Sequence, residues 1–188
     1  SREKFIEWIE NTRPINENNE AVNVLDNLDE FLLSVIEEID NISKEGDLED
    51  KILKIHDYII NTTKYDTDNS DSKSSTAYGA LINHKAVCGG YADAMALFLN
   101  KFNVPNFKIA SNTHVWNAVY IDSAWLHLDL TWDDPVSDDG KDYLYHKYFL
   151  IDTKSLMEVD SGKVEIEEHN FDKNYYLEFN DKIIELKK

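Results

Sequence analysis

One cysteine, Cys88, stands in 188 residues. An internal disulfide is excluded, and so are cysteine-rich zinc sites. The shortage does not fix a compartment, because many secreted proteins also lack disulfides. Basic residues are few, 19 against 37 acidic ones, for a net charge of −18. A surface this acidic repels phosphate, so nucleic acid and anionic membranes are poor partners, and cationic substrates such as lysine-bearing peptides are favoured. No apolar run approaches the roughly 18–20 residues of a membrane span. The three prolines mark element ends: Pro14 after a first helix, Pro105 after a buried one, Pro135 after a strand. The chain begins Ser1-Arg2-Glu3, without methionine, as a processed chain would, and a removed leader stays open.

What is present reads as a folded domain: 42% apolar and 30% charged residues over a length that suits one core with a helical extension. The first 62 residues are helical in pattern. Phe5, Ile6, Trp8 and Ile9 form one stripe, and Val22, Leu25, Leu28, Leu32, Val35, Ile36 and Ile39 recur at three- and four-residue steps. Asp47 is placed to cap a third helix running to about Thr62. Residues 66–75 form a polar loop. Its Asp66, Asp68 and Ser70 imitate the start of a calcium loop, but Asp71 and Ala77 occupy the required glycine and glutamate positions, so a solvated loop is expected. A buried helix is expected over 92–101, then strands over 107–111, 114–121 and 124–132, with Asp122-Ser123 as a tight turn. Weaker strand runs follow at 147–151 and 164–166, then a mixed segment over 182–188. Helices followed by an antiparallel sheet is an α+β order.

Cys88 sits at the foot of a helix, in Val87-Cys88-Gly89-Gly90-Tyr91. A helix N-terminus lends partial positive charge and free N–H groups, which lower a thiol's pKa toward a usable thiolate. Gly89 and Gly90 carry no Cβ, so a substrate carbonyl could approach the backbone and use its N–H donors. The competing reading is a buried structural thiol. The hairpin bears on that choice. With a two-residue turn at 122–123, opposed residues sum to 245, which sets Trp116 against Asp129 and His114 against Thr131. His114, Trp116, Asp129 and Thr131 then share one face, with Asp129 diagonal to His114. A carboxylate there can fix an imidazole's orientation and tautomer. His127 shares that face and competes as the base, but reads better as structural. His56 reads as a residue for packing or interhelix bonding, while His84, His146 and His169 receive no role. Asp133, Asp134, Asp138 and Asp139 read as a solvated acidic loop, and Trp116, Trp125 and Trp132 as half-buried packing or a binding wall. No metal or cofactor is expected.

The residues from about Ile55 to Ile151 resemble the transglutaminase-like superfamily, in particular its compact bacterial members. The resemblance lies in Ile55-His56-Asp57-Tyr58-Ile59-Ile60, Lys64-Tyr65-Asp66, Ala77-Tyr78-Gly79-Ala80-Leu81, Val87-Cys88-Gly89-Gly90-Tyr91-Ala92, His114-Val115-Trp116-Asn117 and Asp129-Leu130-Thr131-Trp132-Asp133-Asp134-Pro135. It implies a papain-like α+β core in which the nucleophile helix packs on an antiparallel sheet. It also implies Cys88 as nucleophile, His114 as general base and acid, and Asp129 as orienter. Gly89 and the Tyr78 hydroxyl are the candidate oxyanion donors, and Trp116 a candidate substrate contact. The implied chemistry is acyl transfer from an amide through a thioester: hydrolysis when water accepts, an isopeptide cross-link when a lysine amine does. The alternative is a silent binding or scaffold module on the same fold.

The expected layout is a helical extension over 1–50, a core over 51–152 and a C-terminal segment over 153–188 packing on that core. The expected partner is a protein or peptide substrate, with cell-wall peptide among the candidates. The expected location is outside a bacterial cell or on its surface, with the cytoplasm left open.

Overall fold

The computed structural model describes residues 46–187, together with Glu30, Leu33, Ser34, Ile36, Glu37 and Asn41, which are helical. The expected helix around Phe5–Ile9, and most of the one over 21–39, lie outside the described residues. The chain divides into two compact units, Ser1–Lys54 and Ile55–Lys188. The second carries Cys88, His114 and Asp129.

Helix α1 (Leu48–Thr62) starts where Asp47 accepts the Asp50 N–H at 2.9 Å, a side-chain cap on an otherwise unsatisfied donor. Ile55, Ile59 and Ile60 lie buried along it at helical spacing. Strand β1 (Lys64–Tyr65) follows and pairs in parallel with β2 (Lys85–Ala86). The polar loop between them closes on itself. The Asp66 carboxylate takes the N–H and hydroxyl of Ser70 and the N–H of Asp71, at 2.9 to 3.1 Å.

Helix α2 (Cys88–Lys101) begins at Cys88 itself, four residues before the expected start. Val87 caps it in an extended conformation and offers no side-chain acceptor. Its buried row, Tyr91, Ala94, Met95, Phe98 and Leu99, is mostly apolar. The helix packs on the sheet of β3 (Asn106–Ala110), β4 (Val115–Ile121) and β5 (Ala124–Leu128). Asn117 ties the two layers, donating to the Ala92 carbonyl at 2.9 Å.

The antiparallel register follows the turn. Asp122 and Ser123 both take left-handed φ, 52° and 65°, as a two-residue hairpin turn requires. Ile121 then pairs with Ala124, and Asn117 with Leu128. The expected pairings of Trp116 with Asp129 and of His114 with Thr131 are not made, because β5 stops at Leu128. Asp129 captures the Trp132 N–H with its own carboxylate at 3.2 Å, and the chain turns into helix α3 (Leu130–Asp133). Local side-chain capture of a backbone amide has ended the strand at Leu128, four residues short of the expected 132.

The tail differs from expectation as well. Ile151 makes a single bridge to His127, with no extended strand over 147–151. Helix α4 (Thr153–Val159) starts from an Asp152 cap at 2.7 Å. Residues 164–166, expected as strand, lie in helix α5 (Lys163–Glu168). The segment after 180 forms helix α6 (Asp181–Leu186), capped by Asn180. This tail covers the sheet face opposite α2. Trp116, Ile109 and Ala118 are buried against Tyr148, Leu156, Phe171 and Phe179.

Candidate active site

Four segments meet at Cys88: the head of α2, the start of β4, the short helix α3 and the end of α5. Cys88 is half-buried as the first residue of α2. His114 precedes β4, its backbone N–H held by the Ser111 hydroxyl at 3.2 Å. Asp129 caps α3, and its own N–H is held by the Tyr148 carbonyl at 2.9 Å. Each side chain therefore stands where a regular element begins, with its main chain fixed by hydrogen bonds.

The His114 Nε2 lies 2.6 Å from Asp129 Oδ2, with the two side chains 2% and 1% exposed. The ring also stands close enough to Cys88 for each to shift the other's pKa. With Nε2 committed to the carboxylate, Nδ1 is the nitrogen left for the thiol. Main-chain N–H groups of Val115 and Gly89 also meet the sulfur. Burial pushes the Cys88 thiol up, yet the His114 hydrogen bond and charge, with those two N–H donors, pull it below its ordinary value. Burial opposes charge on His114 too, but Asp129 and then Cys88 raise it to about 10. Asp129 is driven up by burial and, more strongly, down by His114 and His169, so it stays ionised. Both shifts favour a thiolate beside an imidazolium over the neutral pair.

Gly89 and Gly90 make room for protein backbone. A Cβ at Gly90 would lie 2.2 Å from the Ser74 carbonyl oxygen, and one at Gly89 3.0 Å from that of Ser75. The open approach that sequence reasoning assigned to a substrate is taken, on that side, by the 73–76 loop. Trp116, considered as a substrate contact, is 1% exposed and stacks on His114 with ring centroids 5.6 Å apart. Its Nε1 donates to His127 Nδ1 at 3.0 Å. His127 must then be neutral, and burial lowers its pKa to about 3. Tyr78 is half-buried, with the Lys73 ammonium 4.2 Å above its ring.

Several residues at the site were not legible in the sequence. His169, given no role, places Nε2 2.9 Å from Asp129 Oδ2 and Nδ1 2.9 Å from Asp160. Glu168 accepts the Trp132 indole N–H at 2.7 Å and stands 3.8 Å from His114 Nδ1. Tyr65, half-buried, has its hydroxyl pKa raised by burial and then by the charge of Cys88. No spacing or periodicity marks these positions; Glu168 and His169 arrive only when the tail folds back, and Tyr65 comes from β1. Asp133, read as part of a solvated loop, is fully buried, with Oδ2 2.9 Å from His56 Nε2.

Among the described residues, two groups could approach a metal ion: His114, Asp129 and His169, and His56, Asp57 and His146. In both, the candidate ligand atoms already hydrogen-bond one another, at 2.6 and 2.9 Å in the first group and 2.8 and 2.7 Å in the second. Those lengths suit shared protons.

The model of the transglutaminase-like superfamily matches residues 37–130, half of the chain, and the matched span holds Cys88, His114 and Asp129. The chain belongs to the transglutaminase-like superfamily. A solved structure described as a TGase is similar over 69% of this chain, with 22% identity and a TM-score of 0.50. A candidate cysteine protease from Cytophaga hutchinsonii is similar over 55%, with 21% identity and a TM-score of 0.43. At such identities the likeness concerns the fold. This chain spans 38% and 37% of the lengths of those two proteins. No curated protein matches it. The superfamily match ends at Leu130, so α4, α5 and His169 lie beyond it.

Proposed function

We propose that this transglutaminase-like protein is a cysteine-dependent acyl-transfer enzyme acting on amide groups of protein or peptide substrates. One observation carries the reading: a half-buried thiol at a helix N-terminus has its pKa lowered by an imidazole whose Nε2 is bound to a buried carboxylate at 2.6 Å.

The Cys88 thiolate attacks the amide carbon, and the carbonyl oxygen takes the electron pair. N–H groups at the head of α2 are the donors this reading assigns to that charge. As the tetrahedral species collapses, the C–N bond breaks and His114 gives its proton to the departing amine, leaving a thioester on Cys88. Neutral His114 then takes a proton from the acceptor, which attacks the thioester and restores the thiolate. Water as acceptor yields a carboxylic acid; a lysine amine yields an isopeptide bond. The net charge of −18 favours lysine-bearing partners in either case.

The test pairs iodoacetamide alkylation of wild type and Cys88→Ala across pH with incubation in a glutamine peptide plus a labelled amine. Rapid modification of Cys88 well below pH 8, with ammonia released from the peptide, is expected. Label incorporation against plain hydrolysis identifies the acceptor. A thiol that alkylates at the ordinary rate, or only after unfolding, would sink the reading.

A further inference from the structure

We propose that His169 is a positioning residue for this site, fixing the Asp129 carboxylate on His114 and being fixed in turn by Asp160. The inference rests on the acyl-transfer reading and adds a side chain from beyond the superfamily-matched span.

Asp129 Oδ2 is shared. It receives His114 Nε2 at 2.6 Å and His169 Nε2 at 2.9 Å, while Oδ1 takes the Trp132 N–H at 3.2 Å. Three donors from three elements leave the carboxylate one orientation. On the other side of the ring, His169 Nδ1 lies 2.9 and 3.0 Å from the two oxygens of Asp160. Ionised carboxylates only accept, so both ring nitrogens of His169 carry protons and the ring is an imidazolium. The Tyr148 hydroxyl donates to Asp160 Oδ1 at 3.0 Å and closes the chain. The side chains of His169 and Asp160 are 2% and 4% exposed, so solvent does not screen these contacts.

Two consecutive residues at the end of α5 thus hold α3 in place: Glu168 accepts the Trp132 indole N–H, and His169 bonds the Asp129 carboxylate. The charged and titratable groups around the His169 ring are Asp129 on α3, Asp160 after α4, Tyr148 in the connecting loop, and His114 and His127 on the sheet side. His127 is neutral. A cation beside Asp129 also spreads that carboxylate's charge, which limits how tightly His114 holds the proton it must pass to a leaving amine.

The experiment follows the pH dependence of Cys88 alkylation by iodoacetamide in wild type, His169→Leu and His169→Gln, with near-UV circular dichroism reporting the fold. Leucine removes both donors; glutamine can restore the donor to Asp129 without the charge. The alkylation midpoint is expected to move up by about one pH unit in His169→Leu, a roughly tenfold loss of thiolate below the midpoint, and by less in His169→Gln. A merely structural histidine would leave the midpoint of a folded variant in place. An unchanged midpoint in His169→Leu overturns the proposal, and so does an equal shift in both variants. If His169→Leu does not fold, nitrogen NMR of the wild-type histidines decides: two protonated His169 nitrogens at pH 7 support the proposal, and a neutral ring overturns it. A wild-type midpoint at the ordinary thiol value would remove the acyl-transfer reading and this proposal together, whereas an unchanged variant removes the proposal alone.

Discussion

His114 meets Asp129 through Nε2, 2.6 Å from Oδ2, which leaves Nδ1, the nitrogen nearer the ring's own backbone, for exchange with Cys88. That assignment fixes the direction in which a proton can move: between the sulfur and Nδ1, with the carboxylate holding the ring from behind. It also makes Asp129 the most sensitive position to probe.

Replacement Asp129→Asn keeps an oxygen for the Trp132 N–H but removes the anion beside His114. The His114 pKa is expected to fall from about 10 toward or below its ordinary value, and the Cys88 pKa to rise. Turnover should drop by up to about 10⁴-fold, the loss seen when an imidazole is deprived of its orienting carboxylate. The pH profiles of alkylation and of amide turnover check both parts.

Activity should follow a bell against pH. Its acid limb reports Cys88 losing its proton below the ordinary thiol value, and its alkaline limb reports His114 losing its own near 10. Stability carries the same groups with opposite signs. Folded His114 retains a proton that the unfolded chain releases at about 6.5, so its contribution is complete below that pH and is lost as pH rises through about 10. Cys88, with its depressed pKa, stabilises increasingly as pH approaches the unfolded thiol value. The Cys88→Ser variant isolates His114: its Tm should fall between pH 7 and 10 relative to Cys88→Ser/His114→Gln. Parallel curves would show that His114 is not held charged.

His56 stands between two carboxylates, with Nδ1 2.8 Å from Asp57 and Nε2 2.9 Å from Asp133. Both His56 and Asp133 are fully buried, and burial raises the Asp133 pKa despite its partner. His56→Leu would strand that carboxylate, at a cost of about 3 kcal/mol. Urea unfolding measures the loss, and a cost under about 1 kcal/mol would contradict the buried pair.

Gly90→Ala tests the backbone under the nucleophile. Alanine favours a helix by about 1 kcal/mol over glycine. Here the added Cβ would meet the Ser74 carbonyl oxygen at 2.2 Å and the Ala86 Cβ at 2.8 Å, mostly backbone that cannot swing away. The clash should win, with net destabilisation of about 1–3 kcal/mol and slower Cys88 alkylation as the head of α2 shifts. Denaturant midpoints and alkylation rates are the readouts.

The hairpin shows how far sequence reasoning reached. Alternation along β4 and β5 and the Asp122-Ser123 turn set a register that the structure keeps through Asn117 and Leu128. It then failed at Asp129, where the carboxylate's capture of the Trp132 N–H replaced strand by helix. Asp129 still reaches His114, by a route the strand register did not describe. Residues 164–166 misled for a related reason. Val164 and Ile166 alternate with glutamates as a strand would, but they are 58% and 55% exposed, so their alternation marks no buried face.

Sequence alone determined what is local: the helix cap at Asp47, the two-residue turn, the thiol at the foot of a helix, and the order of cysteine, histidine and aspartate. These depend on neighbours within a few positions, where spacing and backbone geometry dictate contact. Only the tertiary structure decided that His169, 40 residues from Asp129, shares its carboxylate oxygen, and that Asp133 lies buried on His56, 77 residues away. Such pairings leave no periodic trace. They form because a carboxylate sealed from water must find donors, and the nearest ones are brought by whichever distant segment covers it.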